Sequence, residues 1–243
     1  MKADLHEIMC TIQGEGALVG TRQVFIRFKG CNLRCSYCDT EESFINSKNC
    51  LVYKETGKNE SKEIHPNPLT IDELGRIVKG IDANYISLTG GEPLLHAEFM
   101  AEFIKSLKGN NYKFLLETNG TLPEKLSQVI HYLDYVSMDI KLPSTIGKDF
   151  LPIHEEFLFI AQQKPCYIKI VITPDYIKEE FIEAIHMVKR INPNITVFIQ
   201  PVTPRDKESK VDIFECIALQ EYSLKIINDV RILPQIHPWL GLI

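Results

Sequence analysis

The stretch Gln23-Val24-Phe25-Ile26-Arg27-Phe28-Lys29-Gly30-Cys31-Asn32-Leu33-Arg34-Cys35-Ser36-Tyr37-Cys38 joins an apolar run to three closely spaced cysteines. Residues 23–28 are rich in β-branched and aromatic side chains, which predicts a β-strand. The cysteines follow at C-x3-C-x2-C spacing. We therefore expect a strand whose C-terminal end leads into a loop that carries three thiols.

Three thiols in one loop indicate an iron–sulfur cluster with an open coordination position. Such clusters are held by cysteine thiolates and normally take four. Cys31, Cys35 and Cys38 would leave one iron of a four-iron cluster without a protein ligand. An open iron predicts chemistry on a bound small molecule as well as electron storage.

Two other uses of cysteine stay open at this point. A structural zinc site needs a fourth ligand at finger spacing, and the next candidates are Cys50 and His65. A disulfide framework is disfavoured, because the cysteine count of seven is odd and the chain starts without a signal-peptide pattern. Cys10, Cys166 and Cys216 have apolar sequence neighbours, and we expect them to be small buried hydrophobes.

The composition is that of an ordinary globular protein. The chain has 243 residues, 44% hydrophobic and 24% charged, with a formal net charge of −5. The negative net charge argues against nonspecific nucleic-acid binding, which needs a basic surface. No apolar stretch approaches the length of a membrane span. We expect one α/β domain over residues 1–243, cytoplasmic and acting on a small molecule.

Short β-rich runs alternate with amphipathic stretches from residue 84 onward, which predicts βα units and a parallel sheet. The predicted strands cover residues 85–89, 112–116, 135–138, 167–171 and 195–199, and the predicted helices cover residues 94–107, 123–131 and 178–191. Thr70-Ile71-Asp72-Glu73 is a capping box that predicts one further helix start. Residues 41–68 are polar and aperiodic, which indicates an insertion with a short hairpin near residues 50–53.

Polar residues follow the predicted strands at their C-terminal ends, where parallel α/β proteins place their chemistry. They are the three cysteines, Gly90-Gly91-Glu92, Glu117-Thr118-Asn119, Asp139 with Lys141, and Gln200. This placement predicts a single site on one rim. The chain is shorter than a usual full barrel of about 250 residues, so we expect an incomplete (βα) TIM-like barrel of about six strands.

The cysteine loop followed by Thr89-Gly90-Gly91-Glu92-Pro93 resembles the radical S-adenosylmethionine superfamily. The resemblance implies a [4Fe-4S] cluster on Cys31, Cys35 and Cys38, with the amine and carboxylate of S-adenosylmethionine on the open iron. Glu92 would then supply negative charge near the ammonium group. Without the resemblance, Glu92 is a favourable acidic residue at a helix N-terminus.

Four further segments resemble 7-carboxy-7-deazaguanine synthases: Thr11-Ile12-Gln13-Gly14-Glu15-Gly16, Cys38-Asp39-Thr40, Glu117-Thr118-Asn119-Gly120-Thr121 and Leu233-Pro234-Gln235-Ile236-His237. The likeness covers most of the chain outside residues 41–68. This family contracts 6-carboxy-5,6,7,8-tetrahydropterin to 7-carboxy-7-deazaguanine and releases ammonia, in queuosine and deazapurine biosynthesis. The resemblance implies that the cofactor carries the radical chemistry, so no catalytic side chain is assigned.

The resemblance also implies ligand contacts for individual residues. Thr40 would bind Mg²⁺, whose hard oxygen chemistry suits a hydroxyl. The implied substrate contacts are Ile12, Gln13, Gly14, Arg27, Thr89, His237 and the terminal carboxylate of Ile243. The implied S-adenosylmethionine contacts are Tyr37, Cys38, Asp39, Gly91, Glu92, Asp139, Ile140, Lys141, Gln200, Pro201, Val202 and Thr203. Several relatives have Ser-Pro-Lys where this chain has Asp139-Ile140-Lys141.

Arg27 and His237 also have simpler interpretations. Side chains alternate between the two faces of a strand, so the sequence alone does not decide whether Arg27 faces solvent or the site. A guanidinium is suited to bind a substrate carboxylate. An isolated histidine such as His237 is more often structural than a ligand.

The competing enzyme is a glycyl-radical-enzyme activating enzyme, which shares the cysteine loop but docks a large protein. The resemblance implies a pterin substrate, flavodoxin or ferredoxin as reductant, and a homodimer. An incomplete barrel leaves sheet edges exposed, and a homodimer would cover some of that surface.

Overall fold

The computed structural model describes residues 1–55, 62–203 and 210–242. The strands in these ranges are β1 Lys2–Ala3, β2 Leu5–Ile12, β3 Arg22–Phe28, β4 Asn49–Tyr53, β5 Lys62–Pro66, β6 Leu69–Thr70, β7 Tyr85–Gly90, β8 Lys113–Thr118, β9 Tyr135–Ile140, β10 Cys166–Ile172, β11 Thr196–Pro201 and β12 Val230–Ile232. The α-helices are α1 Ile71–Lys79, α2 Ala97–Ser106, α3 Pro123–Val129, α4 Pro143–Ile146, α5 Leu151–Ala161, α6 Lys178–Ile191 and α7 Ile213–Ser223.

One sheet organises the described part of the chain. Its ten strands run in the order β12-β11-β10-β9-β8-β7-β3-β2-β4-β5. From β3 to β12 every neighbouring pair is parallel, whereas β2 runs antiparallel to β3. The two end strands, β12 and β5, do not pair with each other. The architecture is therefore an incomplete TIM-like barrel, and the three-residue β12 extends the six longer parallel strands that were predicted.

The two faces of the parallel strands have different chemistry. On one face, residues such as Leu88, Met138 and Ile170 are fully buried in the main core that the helices cover. On the other face, Leu115, Tyr167 and Phe198 form a small separate apolar cluster. Two residues further along β8, β10 and β11 come Glu117, Lys169 and Gln200. Side chains two apart share a face of a strand, so apolar packing gives way to polar groups at the C-terminal ends.

Most predicted elements are confirmed. The structure has each predicted strand within about two residues, and α6 has the predicted bounds. The predicted helix over residues 94–107 begins with a 3-10 turn at Pro93–His96 before α2. The capping box is formed: the Glu73 amide donates to Thr70 Oγ1 at 3.2 Å, and the Thr70 amide donates to Glu73 Oε2 at 2.8 Å.

Two strands within residues 41–68 extend the sheet at one edge. β4 and β5 are antiparallel, and β4 adds to the edge of β2 in parallel. Strand β2 was not predicted. Its residues, LHEIMCTI, lack period-two alternation because both of their faces are largely buried.

The cysteines outside the loop behave largely as expected. Cys10 and Cys216 are buried, Cys166 is half-buried, and none of the seven cysteines, all of which lie in the described ranges, forms a disulfide. Cys50 and His65 face each other across the β4–β5 hairpin, and neither lines the cavity that contains the cysteine loop. Among the described residues, no helix combines the length and apolarity that crossing a bilayer requires.

Candidate active site

A cavity of about 670 Å³ lies at the C-terminal ends of the parallel strands. Arg27 reaches it from β3, Thr89 from β7, Glu117 from β8, Asp139 from β9 and Lys169 from β10. All three cysteines of the sequence motif line the same cavity. The polar rim expected from the sequence is thus one site.

Most residues assigned by resemblance line this cavity. They are Ile12, Gln13, Gly14, Arg27, Cys31, Cys35, Tyr37, Cys38, Asp39, Thr40, Thr89, Gly91, Asp139, Lys141, Gln200, Val202, Thr203 and His237. Glu92, Ile140 and Pro201 belong to the same strand ends but are not lining residues. Ile243 lies outside the described residues.

Contacts with neighbouring segments hold the cysteine loop. The Gly30 amide donates to the Ser43 carbonyl at 2.9 Å, and the Arg34 guanidinium lies 3.4 Å from the ring centroid of Phe44. Both partners belong to the 3-10 turn Glu41–Phe44, which follows the loop directly. The turn therefore holds the cysteine loop at its start and near its middle.

The glycine pair is needed for packing within the chain itself. A Cβ at Gly91 would lie 2.0 Å from the Gly30 carbonyl oxygen and 3.0 Å from Cys31 Cβ. Gly90 has φ of 128°, and a Cβ there would lie 2.3 Å from the Phe28 carbonyl oxygen. Only glycine allows the end of β7 to pack this closely against the start of the cysteine loop.

The thiols suit a cluster better than a single metal ion. Cys31, Cys35 and Cys38 face one cavity, yet among the described residues no three His, Cys, Asp or Glu side chains converge on one ion position. The thiolates of a four-iron cluster bind different irons, so they need not converge. Burial raises the pKa of Cys31 and of Cys35, and coordination to iron would remove both protons.

Glu92 is fully buried beneath the cavity. Its carboxylate accepts hydrogen bonds from the Leu94 amide at 3.0 Å, Thr118 Oγ1 at 2.8 Å and the Asn119 amide at 2.8 Å. Burial raises the pKa of Glu92 to about 7, although the three donors favour the charged form. In this structure the carboxylate caps the 3-10 turn Pro93–His96 and joins it to the end of β8.

Two buried lysines and two carboxylates form a charged chain across the cavity wall. Lys141 Nζ lies 2.9 Å from Asp139 Oδ2, and Lys169 Nζ lies 3.3 Å from Asp139 Oδ1. Lys169 also pairs with Glu15. Burial alone would raise the pKa of Asp139, but the two lysines outweigh it and lower that pKa. Burial opposes the charge on each lysine, and the carboxylates nevertheless raise both lysine pKa values.

Gln235 joins three distant segments of the chain. Its Nε2 donates to Glu15 Oε1 at 2.6 Å and to Asp39 Oδ2 at 2.8 Å, and its Oε1 accepts from Thr203 Oγ1. Burial would raise the pKa of Asp39, but the donors Gln235 and Thr40 lower it. The C-terminal segment is thereby tied to the N-terminal segment and to the cysteine loop.

A second set of contacts surrounds Arg27. Its Nε donates to Glu7 Oε1 at 2.8 Å, and its Nη1 donates to Thr40 Oγ1 at 3.3 Å. Glu7, Arg27 and Thr89 lie opposite one another on β2, β3 and β7. Arg27 therefore faces the cavity.

The N-terminal and C-terminal segments meet at Gly14. A Cβ there would lie 2.3 Å from His237 Nδ1, so the histidine packs directly on the glycine. The neighbouring Gln13 donates from Nε2 to Glu117 Oε1 at 2.8 Å, and Ser87 Oγ donates to the same oxygen at 2.5 Å. Burial raises the pKa of Glu117.

Several cavity residues received no role from sequence reasoning: Glu7, Glu15, Glu117, Lys169 and Gln235. Lys169 gave a detectable signal, because a lysine inside the apolar run Tyr167-Ile168-Lys169-Ile170-Val171 must be paired if it is buried. Glu7 gave none, since strand β2 itself was not predicted.

The comparisons with known proteins agree with this geometry. Residues 25–217 match the family model described as the radical SAM superfamily. The 7-carboxy-7-deazaguanine synthase of Geobacter sulfurreducens is 35% identical over 98% of this chain and 97% of its own length. The 7-carboxy-7-deazaguanine synthase of Methanothermobacter thermautotrophicus is 33% identical over 100% of this chain and 98% of its own length.

A solved structure supports the fold. The crystal structure of QueE from Escherichia coli superposes with a TM-score of 0.60, at 19% identity, over 97% of this chain and 94% of that one. Full-length similarity to small-molecule synthases, together with the cavity, favours the pterin hypothesis over an activating enzyme that docks a large protein. The chain belongs to the radical S-adenosylmethionine superfamily and, within it, to the 7-carboxy-7-deazaguanine synthase family.

Proposed function

We propose that this enzyme converts 6-carboxy-5,6,7,8-tetrahydropterin into 7-carboxy-7-deazaguanine and ammonia. The observation that carries the proposal is one cavity that joins the cysteine loop to Arg27 and to the C-terminal His237. Synthases of that name match the chain over nearly its whole length. The product would serve queuosine or other deazapurine biosynthesis.

The family uses a [4Fe-4S] cluster and S-adenosylmethionine, and the cavity has suitable groups for both. Cys31, Cys35 and Cys38 would hold the cluster, which supplies the electron for reductive cleavage of S-adenosylmethionine. Tyr37, Asp139 and Lys141 form the adjacent wall, with Lys141 Nζ 5.3 Å from the Tyr37 ring centroid. An aromatic face and a carboxylate suit the adenine ring and the ribose hydroxyls.

The substrate would lie on the side of the cavity formed by β2, β3 and the C-terminal segment. Arg27 is already fixed through Nε by Glu7, so its terminal nitrogens are oriented towards a substrate carboxylate. Gln13 and Thr89 offer amide and hydroxyl groups for the pterin ring, and His237 closes the far side against Gly14. A fixed pose keeps the reacting carbon next to the cofactor and excludes water.

We infer a magnesium site at Thr40. Its hydroxyl lines the cavity and lies 2.9 Å from Asp39 Oδ1 and 3.3 Å from Arg27 Nη1. Magnesium often takes only one or two protein ligands and completes its shell with waters and substrate oxygens. A substrate carboxylate shared between Mg²⁺ and Arg27 fits this arrangement.

We further propose that residues 1–243 act as one domain, with residues 41–68 as an insertion, and that flavodoxin or ferredoxin reduces the enzyme.

We also propose that the protein is a homodimer. On α7, Ile213 and Phe214 are exposed, next to the end strand β12, and an apolar face at a sheet edge supports self-association. Light scattering at micromolar concentration tests the dimer, and a monomer would contradict it.

Anaerobic turnover of the reconstituted enzyme tests the main proposal. The reaction contains 6-carboxytetrahydropterin, S-adenosylmethionine, Mg²⁺ and dithionite, and mass spectrometry measures 7-carboxy-7-deazaguanine. Cys35→Ala is the matched control, because it should abolish both cluster binding and product. Reductive cleavage of S-adenosylmethionine without any deazaguanine product would show that the superfamily is right and the substrate is wrong.

A further inference from the structure

A side-chain amide approaches one of the three cluster thiols. Asn119, at the end of β8, is 7% exposed, and its Nδ2 donates to Cys31 Sγ at 3.8 Å. Asn119 belongs to the polar rim and to the family-like segment 117–121, and no role follows for it from the sequence. The contact places a neutral donor beside a group that becomes a thiolate when iron binds.

The orientation of this amide is determined by its other partners. Asn119 Oδ1 accepts from the Thr121 amide at 3.1 Å and from Thr121 Oγ1 at 2.6 Å. Nδ2 also donates to Asn32 Oδ1 at 2.9 Å, and Asn32 Nδ2 donates to Thr121 Oγ1 at 2.8 Å. A flipped amide would bring Nδ2 against the Thr121 donor and turn Oδ1 towards the sulfur. The nitrogen therefore faces Cys31.

The backbone of Asn119 is held as firmly as its side chain. Its amide donates to Glu92 Oε2 at 2.8 Å, and its carbonyl lies 3.1 Å from His154 Nε2. The carbonyl can only accept, so His154 donates. Burial lowers the pKa of His154 to about 4, so the ring is neutral at physiological pH with its proton on Nε2. Asn119 is fixed before any ligand arrives.

We propose that Asn119 donates an N–H···S hydrogen bond to the Cys31 thiolate and thereby raises the reduction potential of the cluster. A donor stabilises negative charge on sulfur, and the reduced cluster carries one more negative charge than the oxidised one. The bond is therefore stronger in the reduced state, and reduction becomes easier. Thr121 is a positioning residue that acts through Asn119.

This inference rests on the cluster that the superfamily assignment supplies, and it does not depend on the pterin substrate. Asn119→Leu keeps most of the side-chain volume and removes the donor. Thr121→Val keeps Asn119 and removes the hydroxyl that orients it. Asn67→Leu is the matched control, because Asn67 also makes side-chain hydrogen bonds, to the partly buried backbone of Leu5, but does not line the cavity.

The experiment is a redox titration of each reconstituted holoenzyme without S-adenosylmethionine, followed by the electron paramagnetic resonance signal of the reduced cluster. For Asn119→Leu we expect the ratio of reduced to oxidised cluster at a fixed potential to fall about tenfold, which corresponds to a midpoint about 59 mV lower. Thr121→Val should move the midpoint in the same direction by less, and Asn67→Leu should not move it.

An unchanged midpoint in Asn119→Leu, with iron and sulfide contents equal to those of the unsubstituted enzyme, would overturn the proposal. If Asn119→Leu fails to assemble its cluster, the midpoint of Thr121→Val decides: a lower value supports the proposal and an unchanged value refutes it. Product formation is a separate assay. An enzyme that makes no deazaguanine can still show the shift, so the two proposals fail independently.

Discussion

Gly91 illustrates how one residue without a side chain can determine the active site. The backbone of the cysteine loop occupies the space that a Cβ would need, with the Gly30 carbonyl oxygen only 2.0 Å from it. The family resemblance gave Gly91 only as a cofactor contact. The structure adds a constraint within the protein, because the glycine lets the end of β7 position Cys31.

We therefore expect Gly91→Ala to displace the cysteine loop and to lose cluster iron. Overpacking of this kind costs about 1–3 kcal/mol. Iron analysis after anaerobic reconstitution measures the loss, and urea unfolding measures the stability. Gly75→Ala is the control, because nothing lies within 4 Å of the Cβ it would add to helix α1. That substitution should stabilise the protein by about 0.5–1 kcal/mol. Full iron content in Gly91→Ala would contradict the packing argument.

His154 predicts a pH dependence of stability. It is fully buried, and burial lowers its pKa to about 4 from 6.5. The unfolded chain binds a proton at higher pH than the native protein, so this contribution is complete above pH 6.5 and is lost as the pH falls towards 4. Between pH 7.5 and 5.5 the free energy of unfolding should fall by about 1 kcal/mol from this group.

Urea unfolding at the two pH values tests this, with His154→Phe as the comparison. The variant is less stable at pH 7.5, because the Asn119 carbonyl loses its donor, but its own decrease on acidification should be smaller by about 1 kcal/mol. An equal decrease in both proteins would show that His154 does not titrate in this way.

Among the elements, helix α1 shows a local signal that the structure reproduces. Thr70 forms its N-cap, and the Glu73 amide donates to Thr70 Oγ1 at 3.2 Å. Thr70→Ala should therefore destabilise the protein by about 1 kcal/mol. Thermal unfolding measures the loss, while cluster content and turnover should stay unchanged because α1 does not line the cavity. Thr70→Ser, which keeps the hydroxyl, should recover most of the stability.

Elements with local signals were predictable, and elements defined by their neighbours were not. The sequence of α6 has apolar residues at helical spacing and charged residues at both ends, and its bounds were predicted. Strand β2 lies between β3 and β4 in the sheet. Ile8 and Cys10 belong to the main core, and Met9 lines the cavity but is 5% exposed, so apolar and polar residues do not alternate along the strand. The β4–β5 hairpin was expected, but its attachment to β2 depends on pairing that no local pattern encodes.

At the scale of the whole molecule, the parallel strands determine which residues meet. Once β3 and β7 to β11 were predicted in parallel order, the cysteines, Thr89, Asp139 and Gln200 had to share one rim. The contacts between Glu15, Lys169 and Gln235 could not be predicted in the same way. They join residues more than 150 positions apart, through loops whose paths depend on the completed sheet.

A substitution of Gln235 tests these contacts between distant parts of the chain. It is the donor that Glu15 and Asp39 share, so Gln235→Ala leaves two neighbouring carboxylates without that donor. Lost hydrogen bonds to charged groups cost about 1.5–3 kcal/mol each. We expect the C-terminal segment with His237 to separate from the cysteine loop and the KM for the pterin to rise at least about tenfold. The cluster should still assemble, because the three cysteines keep their own loop contacts.

Steady-state kinetics measure the KM of Gln235→Ala, and iron analysis measures its cluster content. Gln163→Ala, at an exposed glutamine outside the cavity, is the control. An unchanged KM would mean that the C-terminal segment does not depend on Gln235 for its position over the substrate.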